Sequence, residues 1–179
     1  QSEPLRGLVA TRWVEFNLSA SEVAQRVDGL WVDGDLFGTL GWSMLRGRDF
    51  RAEDFQIGAT PSMVISEELW RSQYQADEGL IGQPMLVDGR AVTLIGVLAP
   101  RLSYPFQQQI YVATALAEQP SLLGLDWGTL LRVEDAAQRQ RIEALLSAFQ
   151  AERVARLGAD AEREPVGLSP YWSNVTQPD

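Results

Sequence analysis

The residues of this chain that could do chemistry are nearly all carboxylates and arginines. Arg46, Arg48 and Arg51 stand beside Asp49, Glu53 and Asp54. A guanidinium presents a planar fork that suits carboxylates and phosphates, so this cluster can be read as an anion site. The same residues can equally make a local salt-bridged turn. The acids that would neutralise the arginines lie within a few residues of them, which favours the turn. Glu67-Glu68, Asp77-Glu78 and Glu134-Asp135 are acidic pairs. Carboxylates that hydrolyse glycosides face each other ~5–10 Å apart across a cleft, and adjacent acids are more simply a solvated face or a helix N-terminus. The chain has no histidine, no cysteine and no lysine. With them go the usual general base at neutral pH, thiol chemistry, disulfides, the commonest metal ligands and Schiff-base catalysis. Arginine does not lose its proton usefully. No Gly-x-Ser-x-Gly elbow accompanies the serines, and Gly82, Gly89 and Gly96 are too far apart to cradle a phosphate. A carboxylate-dependent hydrolase is the one enzymatic reading left. No residue is assigned a catalytic, cofactor-binding or metal role.

Charge narrows the partners. Across 179 residues, 24 acids against 15 bases give a formal net charge of −9. Phosphate backbones and anionic lipid both call for a basic patch, so nucleic acid is excluded as a partner and an electrostatic grip on membrane lipid is disfavoured. Apolar residues make up 45% of the chain, enough for a true core. No apolar run approaches the ~20 residues that span a bilayer. The six tryptophans, Trp13, Trp31, Trp42, Trp70, Trp127 and Trp172, are expected mostly in the core. Trp172, in a sparse tail, is the best candidate for a partner contact or a place near a membrane interface.

The elements that position these residues can be read in order. Leu5 to Ala10 reads as the last turns of a helix. Arg12 to Leu18 alternates, with Val14, Phe16 and Leu18 on one face, as a strand does. Ser19 to Glu22 is either a capping box or a turn; the β-prone residues after Arg26 favour a hairpin. Asp35 caps a short helix over 36–40, closed by Gly41. Residues 51–61 read as a surface loop. Met63-Val64-Ile65 is a buried strand ending at Ser66, the N-cap of a helix carrying Leu69, Trp70 and Tyr74. Asp88-Gly89, between the apolar-rich runs 84–87 and 90–98, supplies the positive φ angles of a two-residue type I′ turn and predicts a tight hairpin. Residues 98–109 are a connector around Pro100 and Pro105. Strands are expected at 110–114, at 129–133 and over 166–168. The longest helix opens at Asp135, with Gln138 in a capping box and Ile142, Leu145, Leu146 and Phe149 on one face; Gly158 is a natural end for it. The fold class is α+β: small mixed sheets with a few helices.

Taken together, these residues resemble the periplasmic core domain of MacB-like (FtsX-like) ABC transporter permeases. The resemblance rests on Gly47, Arg48, Phe50 and Asp54; on Val64-Ile65-Ser66 and Trp70; on Ile81-Gly82-Gln83 and Val87-Asp88-Gly89; on Val92, Leu94-Ile95-Gly96-Val97; and on Tyr104-Pro105 with Ile110-Tyr111-Val112. It covers about Leu5 to Val133, and more loosely the helix beyond. It implies one two-lobed extracytoplasmic domain over 1–179, with a first lobe of about 5–45 plus 110–168 and an inserted lobe of about 48–100. It further implies that the chain is a piece of a membrane protein of the bacterial inner membrane, with an earlier strand and helix before Leu5 and with both ends of the domain on one side. The implied role is non-catalytic: coupling the motion of transmembrane helices to export or release of a substrate, or to a periplasmic adaptor protein. Implied partners are the protein's own transmembrane helices, an ATPase subunit or domain in the cytoplasm and the adaptor, and the resemblance allows a homodimer. No cofactor is implied. A free-standing binding or scaffold protein is the remaining alternative.

Overall fold

The structure is a computed structural model that describes residues 8–19, 24–100, 108–115 and 128–157. The chain divides into two compact units, Gln1–Arg132 and Val133–Asp179.

The first unit is built on an eight-stranded mixed sheet. Its long founding hairpin joins β1 (Leu8–Ser19) to β2 (Ala24–Asp33) in continuous antiparallel register from Ala10↔Asp33 to Ser19↔Ala24. The hairpin reading of this segment is therefore the right one. A helix at Leu8–Ala10 is not: these residues are strand, paired with β8 (Gly128–Leu131). Two more strands around them supply backbone partners, and that overrides a weak local helical pattern.

After β2 come α1 (Leu36–Leu40) and β3 (Met44–Gly47). Asp35 caps α1 by accepting from the Gly38 amide, and Gly41 closes it at φ 72°. Residues 51–61 are loop apart from one 3-10 turn, Ala52–Phe55. β4 (Ser62–Ser66) then leads directly into α2 (Glu67–Tyr74), where the Ser66 hydroxyl accepts from the Leu69 amide at 3.1 Å. β5 (Pro84–Val87) and β6 (Arg90–Leu98) form the tight hairpin, with Asp88 at φ 48° and Gly89 at φ 75°. β7 is Ile110–Ala113.

Pairing closes the sheet on itself. β2 joins β7, β7 joins β4, β4 joins β6, β6 joins β5, β5 joins β1, and β1 returns to β2. The β1–β5 seam is short, Leu18↔Val87 and Ser19↔Leu86, and three bonds at the hairpin tip extend it. The Asp88 amide donates to the Asn17 carbonyl, and Asp88 Oδ1 accepts from both the amide and the side-chain nitrogen of Asn17, each at 2.9 Å. β8 lies outside the ring on β1, and β3 on β6. Around this ring the strands from 48–100, β4, β6 and β5, are contiguous, and β1, β2 and β7 from its flanks complete it.

β4 and β7 are buried on both faces, which explains the apolar runs Met63-Val64-Ile65 and Ile110-Tyr111-Val112. One face gathers Phe16, Val27, Met63, Ile65, Leu94, Ile110 and Val112, with Leu69 and Trp70 of α2 packed into the same cluster. Gly29 leaves the room that the Phe16 ring occupies; a Cβ there would lie 2.5 Å from Phe16 and 2.6 Å from Ile110. Residues of the other parity, among them Leu30, Val32, Val64 and Tyr111, are buried too. There α1 contributes Phe37, whose ring meets the Tyr111 ring edge-on at 5.1 Å and stacks on Phe50 at 5.5 Å.

The second unit holds α3 (Ala136–Leu157). Asp135 accepts from the Gln138 amide at 2.6 Å, and the Gln138 side chain returns a bond to the Glu134 amide at 2.7 Å, one residue before the expected partner. The apolar face is only partly buried: Ile142 is buried and Leu146 half-buried, whereas Leu145 and Phe149 are exposed. Among the described residues, no helix is long and apolar enough to cross a membrane. Pro105, Trp127, Gly158, the strand expected at 166–168, Trp172 and both chain ends lie outside the described residues.

Candidate functional site

The arginine and acid cluster after β3 is set by backbone contact before any charge acts. Gly47 and Gly96 are directly paired across β3 and β6. Gly47 adopts φ 69°, and a Cβ on it would run into the Ile95 carbonyl and the Gly96 Cα; one on Gly96 would strike the Arg48 carbonyl. Only glycine satisfies both demands. A register shift between Met63 and Val64 of β4, opposite Leu94 and Gly96, leaves Ile95 as an extra residue in β6. Its carbonyl accepts from the Arg48 amide at 2.9 Å, which fixes the start of the Arg48 side chain.

From there Arg48 grips Asp54 with both Nη atoms. Asp54 also accepts from the Arg51 amide at 2.7 Å and the Ser62 hydroxyl at 3.2 Å. Its side chain is only 7% exposed. Burial pushes the Asp54 carboxyl up, but the bonds from Arg48 and Arg51, the Arg48 charge and Ser62 outweigh it, so the group sits below its ordinary value. The Arg48 guanidinium is correspondingly held above its own. The other two arginines are also engaged: Arg51 with Glu53 at 3.4 Å, and Arg46 with Glu78 at 2.6 Å. The cluster is thus a self-neutralised turn and offers no arginine to an external anion. The Arg46–Glu78 pair, 32 positions apart, is the member that a local reading misses.

Asp49 is different. Burial, with Asp35 and Asp54 adding repulsion, raises its carboxyl to about 6 against the opposing Phe50 amide and Arg48 charge. A partly buried acid titrating there could act as a general acid or base. However, it does not line the cleft that runs beside Asp54, a space of about 400 Å³ whose other walls include Trp31, Pro61, Asp88 and Thr114. The cleft's own Asp54 is shifted the other way and fully bonded. No pair of carboxylates stands ready there for acid and base roles.

The remaining motif residues that are described make contacts within the fold. Phe50 is buried in the aromatic layer. Trp70 is buried and donates through Nε1 to the Asp77 carbonyl at 3.0 Å. Gly82, at φ 88°, donates to the Leu94 carbonyl at 2.7 Å. Val97 is fully buried in β6. The acidic pairs have structural partners as well. Glu67 bonds Arg71 one turn on, Asp77 accepts from the Gly79 amide, and Asp135 caps α3. Among the described residues, no group of three metal-ligating side chains is gathered in one place. Of the tryptophans described, Trp70 is in the core, Trp31 and Trp42 are half-buried, and Trp13 is 59% exposed. Burial raises the Tyr74 phenol to about 12, and its hydroxyl has no hydrogen-bond partner among the described residues.

Comparison with known proteins agrees with this picture. The family model of the MacB-like periplasmic core domain matches residues 4–149. Among solved structures, the extracellular domain of the noncanonic ABC-type transporter YknZ from Gram-positive bacteria aligns with TM-score 0.56 at 17% identity, over 90% of this chain and 76% of that one. The periplasmic region of MacB from Actinobacillus actinomycetemcomitans aligns with TM-score 0.63 at 11% identity, over 93% and 80%. A domain of a putative permease protein from Porphyromonas gingivalis aligns with TM-score 0.56 at 14% identity, over 83% and 64%. A comparison with curated proteins finds no match.

Proposed function

Given that the chain belongs to the MacB-like periplasmic core domain family, we propose that it is the non-catalytic extracytoplasmic part of an ABC-type permease of the bacterial inner membrane. In this reading ATP is hydrolysed in the cytoplasm by a separate domain or subunit. Helices flanking this domain in the full-length protein carry the resulting movement outward. The domain turns that movement into export or release of a substrate, directly or through a periplasmic adaptor, and a homodimer would present two such domains together.

The observation that carries the reading is the family match over residues 4–149. The site geometry supports it. Arginines and acids at the motif positions are spent on one another, and the glycines on backbone packing. The test is removal of residues 4–149 from the full-length permease. Retained ATP hydrolysis with loss of export is the expected result; export that continues without the domain overturns it. The full reading frame is a second check, since hydrophobic helices are expected on its flanks and their absence would favour a free-standing binding protein.

A further inference from the structure

Trp31 borders the cleft beside Asp54. The cleft's apolar lining among the described residues includes Trp31, Val87, Val92 and Val112. Trp31 and Val112 are register partners, so they share one face of the sheet. The Phe16 ring lies against the Trp31 indole at 5.1 Å and 73°, which fixes one side of the indole. Trp31 itself stays half-buried. A volume of about 400 Å³ falls within the range of small-molecule sites, and the mouth of a closed sheet is a usual place for one.

The rim decides what kind of molecule fits. Two carboxylates border the cleft, and both are engaged: Asp54 by Arg48, Arg51 and Ser62, and Asp88 by Asn17. Arg90 borders it too, is exposed, and pairs with no carboxylate among the described residues. Among the described residues, Arg90 is therefore the one charged side chain on the rim with no bonded partner.

We propose that this cleft binds a small amphiphilic anion, with an aromatic or aliphatic body against Trp31, Val87, Val92 and Val112 and a single acidic head group on Arg90. The seat is a property of the first unit alone and does not depend on the domain's role in a permease.

Two dyes of nearly the same body test it on this chain: 8-anilinonaphthalene-1-sulfonate, which carries one anionic head, and uncharged N-phenyl-1-naphthylamine. Both are expected to bind one saturable site, the sulfonate with Kd on the order of 10 µM from the usual yield per ligand atom. Arg90→Ala weakens the sulfonate about threefold to fivefold, as for an exposed ion pair. It also flattens the salt dependence and leaves the uncharged dye unchanged. Ala59→Trp, on the cleft wall, weakens both dyes about tenfold or more; Gln56→Trp, at an exposed wall position, repeats that occlusion should the first variant not fold. No saturable binding, equal weakening of both dyes by Arg90→Ala, or full binding in a folded occluded variant would each overturn the proposal.

Discussion

Arg48 holds Asp54 through both terminal guanidinium nitrogens, Nη1 at 2.7 Å from Oδ2 and Nη2 at 2.9 Å from Oδ1. Only the carboxylate of this pair is deeply buried: the Asp54 side chain is 7% exposed and that of Arg48 33%. The pair ties the turn after β3 to itself and, through Ser62, to the start of β4.

Asp54→Asn keeps the shape and removes the charge, and it is expected to destabilise the chain by about 2–3 kcal/mol. Arg48→Lys gives up the two-pronged grip for a point charge and is expected to cost about 1–2 kcal/mol, so it is not a neutral exchange. The check is urea unfolding, in which the midpoint drops while the slope stays constant.

The pH dependence of Asp49 follows from its raised carboxyl, at about 6 in the fold against an ordinary 3.8. Between those values the folded state holds the proton more tightly than the unfolded chain. Asp49 therefore lowers stability as pH rises through that window, and its full cost is present above about 6. Asp49→Asn is expected to raise stability by about 1 kcal/mol at about pH 7.5, a figure reduced for the group's partial exposure. The gain vanishes near pH 4. Denaturant midpoints of parent and variant at the two pH values provide the measurement.

Gly47→Ala and Gly96→Ala each place a methyl into backbone, and the first also forces an unfavourable positive φ. Each is expected to cost about 2 kcal/mol or more, because backbone cannot give way as a side chain can. Gly82→Ala serves as the internal comparison. It too has positive φ, but nothing lies within 4 Å of its added Cβ, so it should cost about 1 kcal/mol. Thermal midpoints in that order would bear out the argument.

Trp70→Ala removes a large buried side chain from the cluster shared by α2 and the ring, at an expected cost of about 3–5 kcal/mol. Trp70→Phe refills most of the space but leaves the Asp77 carbonyl without its donor, and should fall between the parent and the alanine variant.

Features that depend on neighbours in sequence were legible before any coordinates. The Asp88-Gly89 turn, the Asp35 cap and Gly41 stop of α1, the Ser66 cap of α2 and the α+β class all rest on local backbone chemistry. The salt-bridged turn was legible for the same reason, since Asp54 lies six positions from Arg48. What could not be read is long-range. Nothing near Leu8 announces that β8 will claim it as strand. Nothing near Glu78 names Arg46 as its partner. The closure of the ring depends on Leu18 and Ser19 meeting Leu86 and Val87, a match that no periodicity encodes. Gly29 looked like any strand glycine until Phe16 was seen to fill the space above it. Leu145 and Phe149 show the converse: a helical pattern marks a face without saying how much of it is covered.

The closed pairing of the six ring strands has one more consequence. A growing aggregate or a stray chain recruits a sheet through unpaired backbone along its border. In the ring β4 and β7 have that backbone taken on both sides, whereas β1 over 12–16, β2 over 24–27 and β5 over 84–85 are paired along one border only. The strands outside the ring, β3 and β8, are each just four residues long. An added strand would thus find its template on the one-sided stretch of β1 or β2 and not on β4 or β7.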